Sequence, residues 1–142
     1  MAAIKCAKVC LLLGVATALS GCQFRPDILS AYSRRADGEE IVEVMLRAAD
    51  AKKIKDRELY FSVVVVNCTG EPDPYPAESF IGGERAARFG FETTGNTTVI
   101  TGRVPGKIFD AYQRPCVFLE GGGYLTGTIK STVIPVAKTP ST

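Results

Sequence analysis

The segment ELYFSVVVVNC, residues 58 to 68, decides the fold class of this chain. Its four consecutive valines lose little conformational freedom on a pleated strand and are disfavoured in a helix. A continuous apolar run also means that both faces of the strand are covered, which is typical of a central position in a sheet. The next residues, 69 to 79, contain prolines at 72, 74 and 76, and proline cannot donate to a strand ladder. We therefore predict a central strand followed by an irregular loop.

Further short runs extend this β pattern along the chain. Residues 40 to 47 fit a helical stripe or strand alternation, and their β-branched content favours the strand. Residues 50 to 58 carry three lysines and predict a charged, solvated turn, for which attraction to anionic lipid headgroups is the alternative. Residues 87 to 93 and 97 to 104 flank a Thr-Gly-Asn sequence and predict a hairpin. Glycines 121 to 123 are expected at or near the turn between the last two strands.

The spacing of these runs predicts a mainly β fold. Turn signals that recur about every 8 to 12 residues are typical of a single antiparallel β-sandwich, which we place at residues 39 to 138. The segment VPGKIFDAY, residues 104 to 112, resembles the proline-glycine turn before a late strand in immunoglobulin-like and fibronectin type III modules. The resemblance implies their sandwich fold without the buried tryptophan, because the chain has no tryptophan.

The first residues have the composition of a secretory signal peptide. Lys5 and Lys8 give a positive start, and residues 9 to 19 are apolar or small except for Thr17. Eleven residues span about 16 Å as a helix. A bilayer core of about 30 Å needs roughly 20 residues. The segment is therefore too short to cross a membrane stably, and we interpret residues 1 to 21 as a signal peptide.

The end of this segment resembles the lipobox of bacterial lipoproteins. Leu19 is aliphatic, Ser20 and Gly21 are small, and Cys22 follows directly. The resemblance implies cleavage before Cys22, a diacylglyceryl group on its thiol and acylation of its new amino group. Two or three acyl chains anchor a protein stably, whereas one holds it only marginally. Gln23, rather than aspartate, follows the cysteine, which resembles lipoproteins sorted to the outer membrane.

The residues after Cys22 predict a tether, and the remaining charges are balanced. Residues 22 to 38 mix polar, charged and proline residues without a period, so we expect the lipidated cysteine and a flexible tether there. Loss of residues 1 to 21 leaves 121 residues, enough for a single domain, with 15 basic and 15 acidic side chains. A neutral chain without a run of basic residues interleaved with aromatic ones gives no reason to expect a nucleic-acid partner.

The remaining cysteines predict a disulfide. Cys6 and Cys10 lie in the signal peptide and Cys22 is assigned to lipid, which leaves Cys68 and Cys116. Two cysteines in an exported domain usually pair. A bond that encloses 47 residues stabilises a fold by about 4 kcal/mol in the entropic model. Two buried thiols are the alternative in a reducing compartment.

The composition argues against an enzyme, a cofactor and a metal site. The chain has no histidine, so histidine-based catalytic triads and histidine-bearing zinc sites are excluded. The glycine-rich residues 120 to 127 match no phosphate-binding motif. The close carboxylate pairs, Glu39 with Glu40 and Asp73 with Glu78, lie in segments expected to be solvated.

Two tyrosines are the candidate binding residues. Tyr75 lies between two prolines, and Tyr124 follows three glycines. A rigidly held, exposed tyrosine is a typical anchor of a protein interface. The alternative for each is packing against the domain itself.

These features predict a non-enzymatic lipoprotein that binds a protein in the periplasm. Short lipoproteins with one β domain and one disulfide resemble inhibitors and immunity proteins, in particular the immunity lipoproteins associated with type VI secretion. The alternative is a structural accessory lipoprotein of an envelope-spanning assembly such as a secretion system or pilus. The inhibitor or immunity hypothesis implies two partners, the membrane through Cys22 and a periplasmic protein.

Overall fold

A computed structural model describes residues 23–70, 73–81, 83–85, 95–123 and 127–139. Of these residues, 61% lie in strands and 13% in helices, which confirms the mainly β prediction. Four predictions fall outside the described residues: the signal peptide at residues 1 to 21, the lipidation of Cys22, the strand at 87 to 93 and the binding role of Tyr124.

Eleven strands and two helices make up the described chain. The strands are β1 (Gln23–Phe24), β2 (Ile28–Ala36), β3 (Glu39–Arg47), β4 (Tyr60–Asn67), β5 (Tyr75–Ile81), β6 (Glu84–Arg85), β7 (Thr97–Pro105), β8 (Pro115–Gly123), β9 (Gly127–Lys130), β10 (Ile134–Pro135) and β11 (Ala137–Lys138). The helices are α1 (Ala48–Asp56) and α2 (Gly106–Phe109).

The strands form one mixed sheet in the order β1-β9-β8-β4-β5-β7-β3-β2-β11, with β6 on β5 and β10 on β8. The pairs β1/β9 and β2/β11 are parallel, and the other pairs are antiparallel. The sheet curls into a half-barrel. The structure therefore does not confirm two packed layers of a sandwich, nor a purely antiparallel sheet.

β5 joins the two halves of the sheet. Its residues 75–77 pair with β4 and its residues 78–81 pair with β7. Where β5 leaves β4, the Ser79 hydroxyl accepts a hydrogen bond from the Val63 amide at 2.8 Å and donates to the Ala77 carbonyl at 3.1 Å. On β7, a Cβ atom at Gly102 would lie 3.0 Å from a methyl carbon of Val63. A small residue at this position therefore lets β7 approach β4.

A second serine occupies the break between β9 and β10. The Ser131 hydroxyl accepts a hydrogen bond from the Leu119 amide at 2.8 Å and donates to the Thr132 carbonyl at 3.0 Å. Beyond this break, β10 pairs with β8 and β11 pairs with β2. The segment 131–139 thus crosses the open side of the half-barrel.

The main core fills the concave side of the sheet. Val42, Val44 and Leu46 of β3 are fully buried there together with Val63 and Val65 of β4. A smaller cluster lies on the opposite side of β4 and β8, formed by Val64, Val66, Cys116 and Phe118. The valine run is therefore buried on both faces, as its composition predicts, and β4 lies between β8 and β5.

The two helices mark opposite ends of the sheet. β3 begins beside α2 and ends at α1, so nine residues, or about 30 Å, separate these ends. At the α1 end, Ile54 and Ala51 of α1 are buried. At the α2 end, the amide of Gly106 donates to the Gly38 carbonyl. We call these two ends of the sheet the α1 end and the α2 end.

Several local predictions are correct. Strands were expected at 40 to 47, 58 to 68 and 97 to 104, and β3, β4 and β7 lie there. The disulfide between Cys68 and Cys116 is present, with the two Cα atoms 5.1 Å apart.

Three local predictions are wrong. Residues 28–36 of the expected tether form β2, which pairs with β3 along its length. Part of the expected charged turn is α1. Tyr75–Ile81 is a strand rather than part of a loop. The position expected for glycines 121 to 123 is correct, because they end β8 and Gly123 pairs with Gly127 at the start of β9.

Candidate protein-binding surface

The convex side of β2, β3, β7 and β5 exposes apolar side chains. Alternation along β3 defines the two sides, because Val42, Val44 and Leu46 point into the core and the residues between them point outward. The strand register then assigns the outward residues of the neighbouring strands. We call this surface the four-strand face, and it comprises Tyr32, Arg34, Ile41, Glu43, Met45, Val99, Thr101, Arg103, Glu78 and Phe80.

Apolar groups on the four-strand face are accessible to solvent. Tyr32 is 45% exposed and Val99 is 42% exposed. Leu29, at the irregularity in the pairing of β2 with β3, is 44% exposed and precedes Tyr32 by three residues on β2. Exposed large apolar residues that share one face are typical of an interaction surface rather than of a solvated one.

An arginine-aromatic pair connects β7 and β5. The guanidinium of Arg103 lies 4.7 Å from the ring centroid of Phe80, within the range of a cation–π interaction. Arg103 also lies directly opposite Ile41 on one side and Glu78 on the other. Arginine stacked on an aromatic ring is partly pre-organised for contact with a partner.

Two ion pairs lie among the apolar groups of the four-strand face. Arg34 pairs with Glu43 at 3.5 Å, and Arg85 of β6 pairs with Glu78. All four side chains are at least 44% exposed, so each pair contributes little to stability in water. Glu43 lies between Tyr32 and Thr101 in the strand register, so charged and apolar groups are interspersed on this face. Interfaces between proteins combine such apolar and polar contacts.

The structure places Tyr75 differently from the prediction. Tyr75 begins β5 opposite Val65, and its half-buried side chain packs against the main core. It is not a loop residue held in solvent by its flanking prolines. Its role as a binding residue stays a prediction, and so does that of Tyr124.

A charged cluster closes the α2 end. Arg35 pairs with the buried Glu40 at 2.8 Å and with Asp110. The hydrogen bond to Asp110 raises the pKa of Arg35 above its usual value, so the guanidinium stays charged. A Cβ at Gly106 would overlap this guanidinium, so the glycine makes room for it. The cluster satisfies a buried carboxylate, and we assign it a structural role.

Tyr112 is the second group at this end with a shifted pKa. Its hydroxyl donates to the Asp73 carbonyl at 2.8 Å. Burial raises the pKa of Tyr112, and Asp73 and Tyr75 raise it further. The hydroxyl therefore remains protonated and keeps this hydrogen bond up to strongly alkaline pH.

The expectation that the carboxylate pairs are solvated is wrong for Glu40, which is buried. Glu40 faces Arg35 in the cluster at the α2 end, whereas Glu78 lies on the four-strand face. Among the described residues, no group of three or more cysteine or carboxylate side chains could hold a metal ion. Within the same residues, neither helix has the length and apolar character needed to cross a bilayer.

Sequence reasoning missed the four-strand face because its residues come from four separated strands. The one local signal is the alternation of charged and apolar residues in β3 and β7, which identifies an outward row but not its neighbours. Comparison with known proteins returns no match, whether to a protein-family model, a curated protein or a solved structure.

Proposed function

We propose that this protein is a lipid-anchored, periplasm-facing lipoprotein that binds another protein through the four-strand face and catalyses no reaction. The observation that carries the proposal is the exposure of Tyr32 and Val99 on one sheet face with the Arg103–Phe80 pair. Tyrosine, arginine and other large side chains dominate the binding energy of protein interfaces. The ion pairs on and beside this face supply the polar contacts that such interfaces also use.

The anchor in this proposal is Cys22, processed as the lipobox resemblance implies. Gln23 favours the periplasmic side of the outer membrane over the inner membrane. An inhibitor or an immunity protein is the activity that we favour, because blocking a hydrolase or toxin requires a rigid surface and no chemistry. A disulfide that joins β4 to β8 and a continuous sheet supply such rigidity.

The test of the proposal compares two exposed tyrosines. The lipidated protein is isolated from membranes, its partner is captured from envelope extract by crosslinking, and the affinity of the purified partner is measured. Tyr32→Ala should weaken binding by about thirtyfold, equivalent to about 2 kcal/mol. Tyr60→Ala is the matched control, because Tyr60 is 50% exposed on β4, outside the four-strand face. Its affinity should stay within about twofold of the parent protein's.

Two outcomes change the conclusion. Equal losses for Tyr32→Ala and Tyr60→Ala would place the binding site elsewhere. Capture of only the components of a secretion system or pilus, with affinity that still depends on Tyr32, would support the alternative, a structural accessory lipoprotein of an envelope-spanning assembly.

A further inference from the structure

The folded sheet begins one residue after the proposed anchor. β1 consists of Gln23 and Phe24, and Gln23 pairs with Thr128 of β9. Consecutive Cα atoms lie about 3.8 Å apart, so the Cα atom of Phe24 is within about 8 Å of that of Cys22. Acyl chains on Cys22 would therefore hold the α1 end of the sheet at the membrane surface.

Two cations lie over the ring of Phe24. The Lys53 ammonium and the Arg57 guanidinium are each 5.5 Å from its centroid. Phe24 itself is buried in the main core, so its ring is a fixed platform for both groups. These contacts keep two positive charges next to β1.

Further basic residues lie along β1 and β9. The parallel register aligns Phe24 of β1 with Ile129 of β9. Arg25 follows Phe24 and Lys130 follows Ile129, so these two basic residues are neighbours. Arg25 is exposed and donates to the side chain of Gln23. Lys130 is also exposed, with its ammonium 5.7 Å from the ring centroid of Phe118.

Carboxylates neutralise only part of this charge. Lys53 pairs with Asp50 at 3.6 Å, and Lys52 pairs with Asp56. Among the described residues, no carboxylate lies within 4.0 Å of the cationic groups of four other residues, which are Arg25, Lys55, Arg57 and Lys130. The group of six basic residues Arg25, Lys52, Lys53, Lys55, Arg57 and Lys130 is called the basic rim.

We propose that the basic rim binds the anionic headgroups of the lipid surface in which Cys22 is anchored. The inference rests on the proposed function, because the lipid at Cys22 would hold β1, with the Lys53 and Arg57 cations beside Phe24, at the headgroups. Phosphate oxygens match the guanidinium and ammonium donors of the rim. A second attachment beside the lipid orients the domain, with the α1 end on the membrane and the α2 end in the periplasm.

Lysine acetylation on vesicles tests this orientation. The lipidated full-length protein is reconstituted in vesicles of phosphatidylcholine alone or of equal parts phosphatidylcholine and phosphatidylglycerol. An amine-reactive acetylating reagent is then added, and mass spectrometry gives the labelling rate of each lysine. Lys107 is the internal control, because it is exposed on α2 at the opposite end of the sheet.

We expect the labelling of Lys53 and Lys130 to slow by about fivefold or more relative to Lys107 on the anionic vesicles. High salt should remove the difference, because it screens exposed charges. The variant Arg25→Gln/Arg57→Gln should reduce the protection of Lys53, whereas Arg34→Gln/Arg103→Gln, a matched change on the four-strand face, should leave it unchanged.

Equal labelling of Lys53 on neutral and anionic vesicles would overturn the inference, and so would equal protection of Lys107. Intact mass measurement of the same preparation separates this failure from failure of the anchor. A lipidated protein without protection refutes the basic rim alone, whereas a protein without lipid refutes the anchor and the inference that rests on it.

Discussion

Replacing Ser79 by alanine should destabilise the protein, whereas the same change at Ser33 should not. The Ser79 hydroxyl accepts the hydrogen bond of the buried Val63 amide where β5 leaves β4. An unpaired buried amide costs about 1–3 kcal/mol. The Ser33 hydroxyl is equally buried, but it has no hydrogen-bond partner among the described residues. Ser33→Ala therefore removes a buried hydroxyl that makes no hydrogen bond.

The expected magnitudes follow from these two environments. Ser79→Ala should lower the free energy of unfolding by about 2 kcal/mol, with a fall in Tm of about 8 °C. Ser131→Ala should behave similarly, because its hydroxyl accepts from the Leu119 amide. Ser33→Ala should leave stability unchanged or raise it by up to about 1 kcal/mol.

Urea denaturation with the disulfide intact is the appropriate assay, because a change in midpoint at constant slope reports stability alone. If Ser79→Ala and Ser33→Ala lowered the free energy of unfolding equally, the Ser79 hydroxyl would not have the stabilising role that we assign to its hydrogen bond with the Val63 amide. A loss below about 0.5 kcal/mol at Ser79, within the range of ordinary surface substitutions, would refute it as well.

Three further perturbations have defined outcomes. Gly121→Ala should lower the free energy of unfolding by about 3 kcal/mol or more, because the new Cβ would overlap a main-chain carbonyl of β4. Gly122→Ala should lower it less, because its Cβ would lie 3.0 Å from the nearest atom, the carbonyl oxygen of Gly127. Urea denaturation compares the two variants. Tyr112 has a raised pKa in the folded state, so its contribution to stability is complete below about pH 10 and is lost as the pH rises towards the folded value. Tyr112→Phe should therefore flatten the dependence of stability on pH above 10 in denaturation curves. Cys68→Ser/Cys116→Ser should lower the free energy of unfolding by about 4 kcal/mol, and a reducing agent should then have no further effect.

The sequence predicts strands best where the apolar pattern is continuous. The valine run of β4 is buried on both faces, so every residue contributes to the signal. β2 gives a weaker signal, because its pairing is irregular near Ile28 and its inward residues include Ser33 and Arg35. Arg35 fits there only because it pairs with the buried Glu40, which no local pattern shows.

Short elements and special residues explain the other differences. α1 buries only Ala51 and Ile54, too few apolar positions to reveal a helical period. Pro76 is accepted in β5 because it lies in the part that pairs with β4 alone, where one side of the strand has no ladder. Gly121 allows β8 to approach β4 closely, because a Cβ at this position would overlap the carbonyl oxygen of Tyr60. The four-strand face depends on the whole strand order, so its residues are found only in the folded structure.

The most direct test of the proposed anchor is the intact mass of the protein purified from bacterial membranes. We expect a chain that starts at Cys22 and carries a diacylglyceryl group, with or without a third acyl chain on the amino group. Cys22→Ala should incorporate no labelled palmitate and should accumulate as the uncleaved precursor. A mature chain with an unmodified Cys22 thiol, or one cleaved at another residue, would contradict the assignment of this protein as a lipoprotein.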